Sequence, residues 1–238
     1  MKVIFLPYRK SILINIIVIG VIFTALALIN AENAKTVFGN SIEPIYKGYT
    51  DRPVIGFECN VVWGTEYVPQ LLKIFSEEGI KITFFIGGEW AKDNPELLKQ
   101  IADEGHEIGN HGYGHKHHSK LDLDENIAEI QKAEDIIKSI TGVKTSLFAP
   151  PYGDYSKTTL LAANSLGYKT IMWSIDTIDW RRDGVDKIIG RVIKNPQKGD
   201  LVLMHPTADT VTALPIIIQK LKHMGFEITT VSNTIKSD

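Results

Sequence analysis

The sequence predicts an α/β fold: an incomplete (β/α)7-type barrel, preceded by one N-terminal membrane helix. Three observations predict it. From Pro53 onward, short apolar runs of strand type alternate with segments whose apolar residues recur at helical spacing. Repeated βα units imply parallel strands with helices packed outside. Polar or conformationally special residues follow one strand after another, as expected where chemistry gathers at the C-terminal ends of barrel strands.

The elements follow in order. Val54 to Phe57 is the first strand. Tyr67 to Glu78 is a helix with Val68, Leu71, Leu72 and Phe75 on one face. Ile80 to Ile86 is the next strand, closed by Gly87 and Gly88. Asn94-Pro95-Glu96 starts a helix, since Asn can cap and Pro suits the first turn, and Gly105 stops it. His106 to Gly109 is a short strand. A long helix opens at Leu123-Asp124 and ends at Gly142, with Ile127, Ile130, Ile136 and Ile137 inward. Further strands are expected at 146–149, 169–174, 201–204 and 227–231, with helices at 156–166, 184–194 and 209–224.

Ahead of the barrel, Ser11 to Ile29 carries no charge and follows Lys2, Arg9 and Lys10. At ~1.5 Å per residue the run is about long enough to cross a hydrocarbon core. The basic flank belongs on the cytoplasmic side, which places the rest of the chain outside. The expected organisation is a transmembrane anchor or signal peptide over 1–30, an extracytoplasmic linker over 31–52, and one catalytic-type domain over 53–238. The protein is thus expected to be membrane-anchored, or secreted if the segment is cleaved. A formal net charge of -2 and the absence of a basic stripe exclude a nucleic-acid partner. Cys59 is the sole cysteine, so no intramolecular disulfide forms.

His111 and His115 stand four apart in Gly105-His106-Glu107-Ile108-Gly109-Asn110-His111, Gly112-Tyr113-Gly114-His115. Two imidazoles at that spacing suit a divalent metal. The stretch also resembles the second motif of the polysaccharide deacetylases, carbohydrate esterase family 4 with its NodB-homology domain. Thr83-Phe84-Phe85 with Gly87, Pro150-Pro151-Tyr152-Gly153, Asp176 with Asp179-Trp180, and Leu203 with His205 match that family as well. The resemblance implies a barrel of the NodB kind that removes N-acetyl groups from a polysaccharide such as peptidoglycan or a chitin-like glycan. It implies a divalent metal, zinc by preference, held by one Asp and two His. By the same resemblance His111 and His115 are the metal histidines, and His205 the general acid, with Asp179 orienting its ring. The backbone N–H of Tyr152 belongs in an oxyanion hole, and Pro151, Tyr152, Trp180 and Leu203 bind substrate.

The sequence departs from the family in two places. The first motif, T-F-D-D-G-P, supplies the base Asp and then the metal Asp. Here it reads Phe57-Glu58-Cys59-Asn60-Val61-Val62-Trp63-Gly64. Without gaps, Asn60 takes the base position and Val61 the metal position; a rival register places Glu58 and Cys59 on the two acids but needs an insertion of two residues. A branch of the family retains the Trp-Gly seen at Trp63 and Gly64. The Arg that holds the base Asp falls on Ala149. Asn cannot take a proton from water, and the loss of a general base costs about 10²–10⁴ in rate. Val cannot bind a metal, so weak metal binding is expected. Glu58, His117, His118 and Asp154 are candidate replacements.

The function expected is an exported N-deacetylase of envelope glycan with a modified metal site. The alternative is a catalytically impaired, deacetylase-like glycan-binding protein.

Overall fold

The computed structural model describes residues 18–22, 24 and 42–236. The chain divides into Met1–Ile42 and Glu43–Asp238, and the second unit carries the barrel. Among the described residues no helix is long and apolar enough to cross a membrane. The expected anchor over Ser11 to Ile29 lies mostly outside the described residues.

The strands are β1 (Val54–Val61), β2 (Thr83–Ile86), β3 (Glu107–Asn110), β4 (Leu147–Phe148), β5 (Lys169–Thr170), β6 (Ile175–Asp176), β7 (Leu201–Met204) and β8 (Glu227–Thr229). The principal helices are α1 (Val68–Glu78), α2 (Gly88–Asp93), α3 (Pro95–Asp103), α4 (Leu123–Thr141), α5 (Lys157–Ser165), α6 (Val185–Ile193), α7 (Ala208–His223) and α8 (Val231–Thr234). All named strand pairs are parallel, in the order β5-β4-β3-β2-β1-β7-β6, with β8 added to the start of β1. The sheet is the incomplete barrel that the βα repeat predicts.

Two apolar layers hold it. Alternate residues of β1, Phe57, Cys59 and Val61, join Leu71, Phe75, Leu98, Ile188 and Leu214 in the layer between strands and helices. The barrel interior is plugged by Phe85, Leu147, Ala149, Ile171, Leu201 and Val231. That plug explains Gly109: a Cβ there would lie 2.3 Å from the Phe85 ring.

The expected single strand over 169–174 is strand only at its start, as β5, and a separate strand, β6, begins just after it. β5 pairs with β4 at one edge, and β6 pairs with β7 at the other. The intervening chain crosses between edges: Met172 N–H donates to Ile45 O, and Ser174 N–H donates to Leu201 O. The stretch from Glu43 to Arg52, expected within a linker, belongs to the barrel unit. Ile45 bridges Ile171 and packs against the interior plug, and Lys47 bridges Asp200 with an ion pair at 3.0 Å.

Helix ends follow local chemistry. α4 begins with a capping box, in which the Asp122 carboxylate accepts from Glu125 N–H while Glu125 accepts from Asp122 N–H. Asn94 does not cap α3 through its side chain; its Nδ2 donates instead to Trp90 O and closes α2.

Candidate active site

β1 sets the site's floor. In register, Glu58 lies beside Thr83 on β2 and Leu203 on β7, and Asn60 lies beside Phe85. Paired residues share a face of the sheet, so Glu58, Asn60 and Leu203 all point into the barrel. Asp176 pairs with Leu203 and shares that face. Cys59 and Val61 point the other way, into the helix-side core.

A cavity of about 370 Å³ opens at the C-terminal ends of the strands. Asn60, Val62, Trp63, His111, His115, Tyr152, Gly153, Trp173, Asp176, Trp180, Leu203 and His205 line it. Most residues singled out from the sequence therefore meet at one place. Asp179 stands behind His205, fully buried. Pro151 is buried in the turn that carries Tyr152 and is not among the residues lining the cavity. Trp63, Val62, Trp173 and Asp176 are lining residues that sequence reasoning did not place in the site. Asp176 and Trp63 lay inside recognised motifs and were findable; Trp173 carried no signal.

His205 is held from behind. Its Nδ1–H donates to Asp179 Oδ1 at 2.8 Å, and its backbone N–H donates to Asp179 Oδ2 at 2.6 Å. Thr210 Oγ1 donates to the same Oδ2 at 2.6 Å. The pairing leaves Nε2 for the cavity and fixes the ring's orientation. The loop before Asp179 is strained: Ile178 has φ +50, which a β-branched residue rarely adopts. Asp176 Oδ1 accepts the Ile178 N–H at 2.7 Å and holds that turn.

His111 Nδ1–H donates to Ala149 O at 2.7 Å, which leaves its Nε2 lone pair free. Its ring centroid is 5.2 Å from that of His115. Burial lowers the His111 pKa well below its usual value, with the neighbouring charge of His115 second. Burial, then the charge of His205, lowers His115 to about 4. Both rings are therefore neutral near pH 7, the form that binds metals. Behind them, Asn110 Nδ2 donates to Ile130 O, and its Oδ1 accepts from Gly112 N–H, which shapes the turn into the histidine loop. Tyr152, at φ +60, lays its ring 4.3 Å from His115 on one side and 4.3 Å from His117 on the other.

The candidate replacements lie off the cavity. His117 is 3.3 Å from Asp154, whose Oδ2 accepts from Ser119 N–H and Oγ. His118 is buried against Asn126 Oδ1 at 2.7 Å. Glu58 is 1 % exposed, one residue pair beneath Asn60, and neither carboxyl oxygen has a hydrogen-bond partner. Burial, with Asp176 second, raises its pKa well above the usual carboxylate range. Burial likewise raises Asp176.

The family's metal set does not fit these residues. Two neutral imidazoles face the cavity, but the expected acidic ligand is Val61, which points into the core. Among the described residues, no three His, Cys, Asp or Glu side chains gather as a metal site. The floor beside the histidines is the Asn60 amide, whose Oδ1 is buried without a partner.

Residues 47–171 match the family model described as Polysaccharide deacetylase. Among curated proteins, the chain is 40% identical to the uncharacterized protein YlxY of Bacillus subtilis, over 80% of this chain and 60% of that one. It is 34% identical to a peptidoglycan-N-acetylglucosamine deacetylase of Bacillus cereus, over 72% of this chain and 64% of that one. The chain thus spans less than two thirds of the length of both relatives. Among solved structures, BA3943 of Bacillus anthracis, described as a CE4 family pseudoenzyme, superposes with a TM-score of 0.81 at 38% identity, over 83% of this chain and 70% of that one. A mutant of that protein is described as having restored enzymatic activity.

Proposed function

We propose, from the premise that this chain belongs to the polysaccharide deacetylase family, that its cavity is a receptor for N-acetylated envelope glycan in which acetamide hydrolysis is disabled. One observation carries the reading. The cavity keeps His205 with Asp179 behind it, yet the base position is the Asn60 amide and the position of the acidic metal ligand is Val61, which points into the core. An amide cannot accept the proton that water must lose on attacking a carbonyl. Two imidazoles without a third protein ligand hold a divalent ion weakly.

The relatives' names support the substrate class. The Bacillus cereus protein is named for N-acetylglucosamine in peptidoglycan. BA3943, at similar identity and with the same fold, is described as a pseudoenzyme. The charge-free run from Ser11 to Ile29, behind Lys2, Arg9 and Lys10, supports export with retention at the membrane, where such a glycan lies.

A second reading, hydrolysis by a modified site, has the His205–Asp179 pair in its favour. In that reaction water adds to the acetamide carbonyl and its proton passes to His205 Nε2, the C–N bond breaks, and His205 delivers that proton to the departing amine. The two readings separate in one experiment: calorimetric binding of N-acetylglucosamine oligomers, with acetate release followed with and without added zinc. Binding with no acetate above background is expected. Acetate release that disappears in His205→Ala overturns the receptor reading in favour of hydrolysis.

A further inference from the structure

Trp63 is a large aromatic side chain 40% exposed on the cavity wall. Its ring lies on the His205 imidazole, with centroids 5.6 Å apart and planes 8° from parallel. The neighbouring backbone enforces that placement. Gly64 sits at φ +71, and a Cβ there would lie 2.1 Å from the Pro206 carbonyl oxygen. The chain after β1 can approach the chain after β7 this closely only with glycine at position 64. The approach seats Trp63 against the residue that precedes Pro206. The Trp-Gly pair is thus one device: the glycine permits the contact, and the indole is delivered by it.

Packing does not account for the indole. His205 covers one part of it, and two-fifths of the residue stays open beside a cavity. Leaving that much aromatic surface in water forgoes the stabilisation that burying it would give. Trp180, 55% exposed, borders the same cavity. Two open indoles around polar groups match a ligand with apolar C–H faces and a hydroxylated rim, which is the chemistry of a pyranose ring.

We infer that Trp63, seated by the contact of Gly64 with Pro206, is a saccharide-stacking wall that takes the ring face of a sugar unit held at the cavity. The inference rests on the glycan-receptor reading and adds a residue and a subsite to it. Trp63 acts on the sugar ring, whereas Asn60 and His205 face the acyl group.

The test uses the full chain and the N-acetylglucosamine tetramer as probe, with affinity from calorimetry and fold checked by circular dichroism. Trp63→Phe keeps an aromatic face and is expected to bind within about threefold of wild type. Trp63→Leu keeps apolar bulk without that face and is expected to lose about tenfold. Equal affinity of the Leu and Phe variants, both folded, overturns the stacking wall while leaving the receptor reading intact. Failure of the wild-type chain to bind the tetramer overturns the receptor reading and this inference with it. Rescue by Phe but not Leu supports the wall, because a merely structural role for Trp63 would be served by either.

Discussion

Replacing Glu58 by methionine is expected to stabilise the protein, and increasingly so as pH rises. The side chain is 1 % exposed in the barrel interior, with both carboxyl oxygens unpartnered. A buried polar group without hydrogen bonds costs roughly 1–3 kcal/mol even when neutral. Burial, reinforced by Asp176, holds the native pKa well above 4.5. The native state therefore keeps a proton that the unfolded chain releases. Stability from that proton is fully present below pH 4.5 and is lost as pH rises through the native pKa. Within the window the wild type loses about 1.4 kcal/mol per pH unit relative to Glu58→Met. The loss accumulates at that slope as pH rises from 4.5 toward the native pKa. Methionine matches the length of glutamate, so the cavity term stays small. The assay is urea unfolding of both proteins across that pH range, with equal m-values as the check on two-state behaviour. Parallel pH profiles for wild type and variant would refute the reasoning, because they would mean that Glu58 ionises at the same pH in the native and unfolded chains.

Three further outcomes are expected. Val61→Asp should cost several kcal/mol, since it places an unpaired carboxylate in the helix-side core, whereas Val62→Asp faces the cavity and should cost about 1 kcal/mol or less; thermal melts of the pair check this. Asn60→Asp adds a carboxylate to the wall that carries His111 and His115, and zinc retained after dialysis, measured by mass spectrometry, should rise toward stoichiometric. His106, lowered by burial to about 4, should titrate near that pH by NMR, and stability should fall as pH drops from 6.5 toward 4, by up to roughly 3 kcal/mol.

What could be read from the sequence, and what could not, divides along physical lines. The helices α1, α3, α4, α5, α6 and α7 were legible because each has an apolar face at helical period and a Gly or Pro boundary. β1 was cut short at Phe57 because Glu58, Cys59 and Asn60 read as a loop; inside a barrel, polar residues can line the interior of a strand. The stretch 169–174 read as one strand because of its apolar run Ile171-Met172-Trp173, but its backbone leaves one edge and joins the other, and no periodicity distinguishes a crossing from a strand. α2 was hidden by Gly87 and Gly88, which read as a stop. In the site, His111, His115, Asp179 and His205 were legible as motif residues that each follow a strand. The contact of Gly64 with Pro206 was not, because it joins positions more than a hundred residues apart.

The surviving half of the site is partly explained by folding alone. Asp179 accepts from the His205 backbone, the His205 ring and Thr210, so losing its carboxylate would strand one buried and two partly buried donors beside the strained turn at Ile178. Its presence alone therefore does not separate turnover from binding. Ala149 is explained in the same way: it completes an apolar plug with Phe85 and Leu201, and a guanidinium placed there would need a carboxylate that Asn60 no longer offers. Folding does not explain the open face of the cavity. Nothing in the core requires Trp63, Tyr152 and Trp180 to stand 40%, 59% and 55% exposed along the cavity. Surface kept apolar at a cost in stability is surface kept for a ligand. The rim of the cavity, rather than its retained acid, is thus the firmer ground for assigning this chain a role at a glycan.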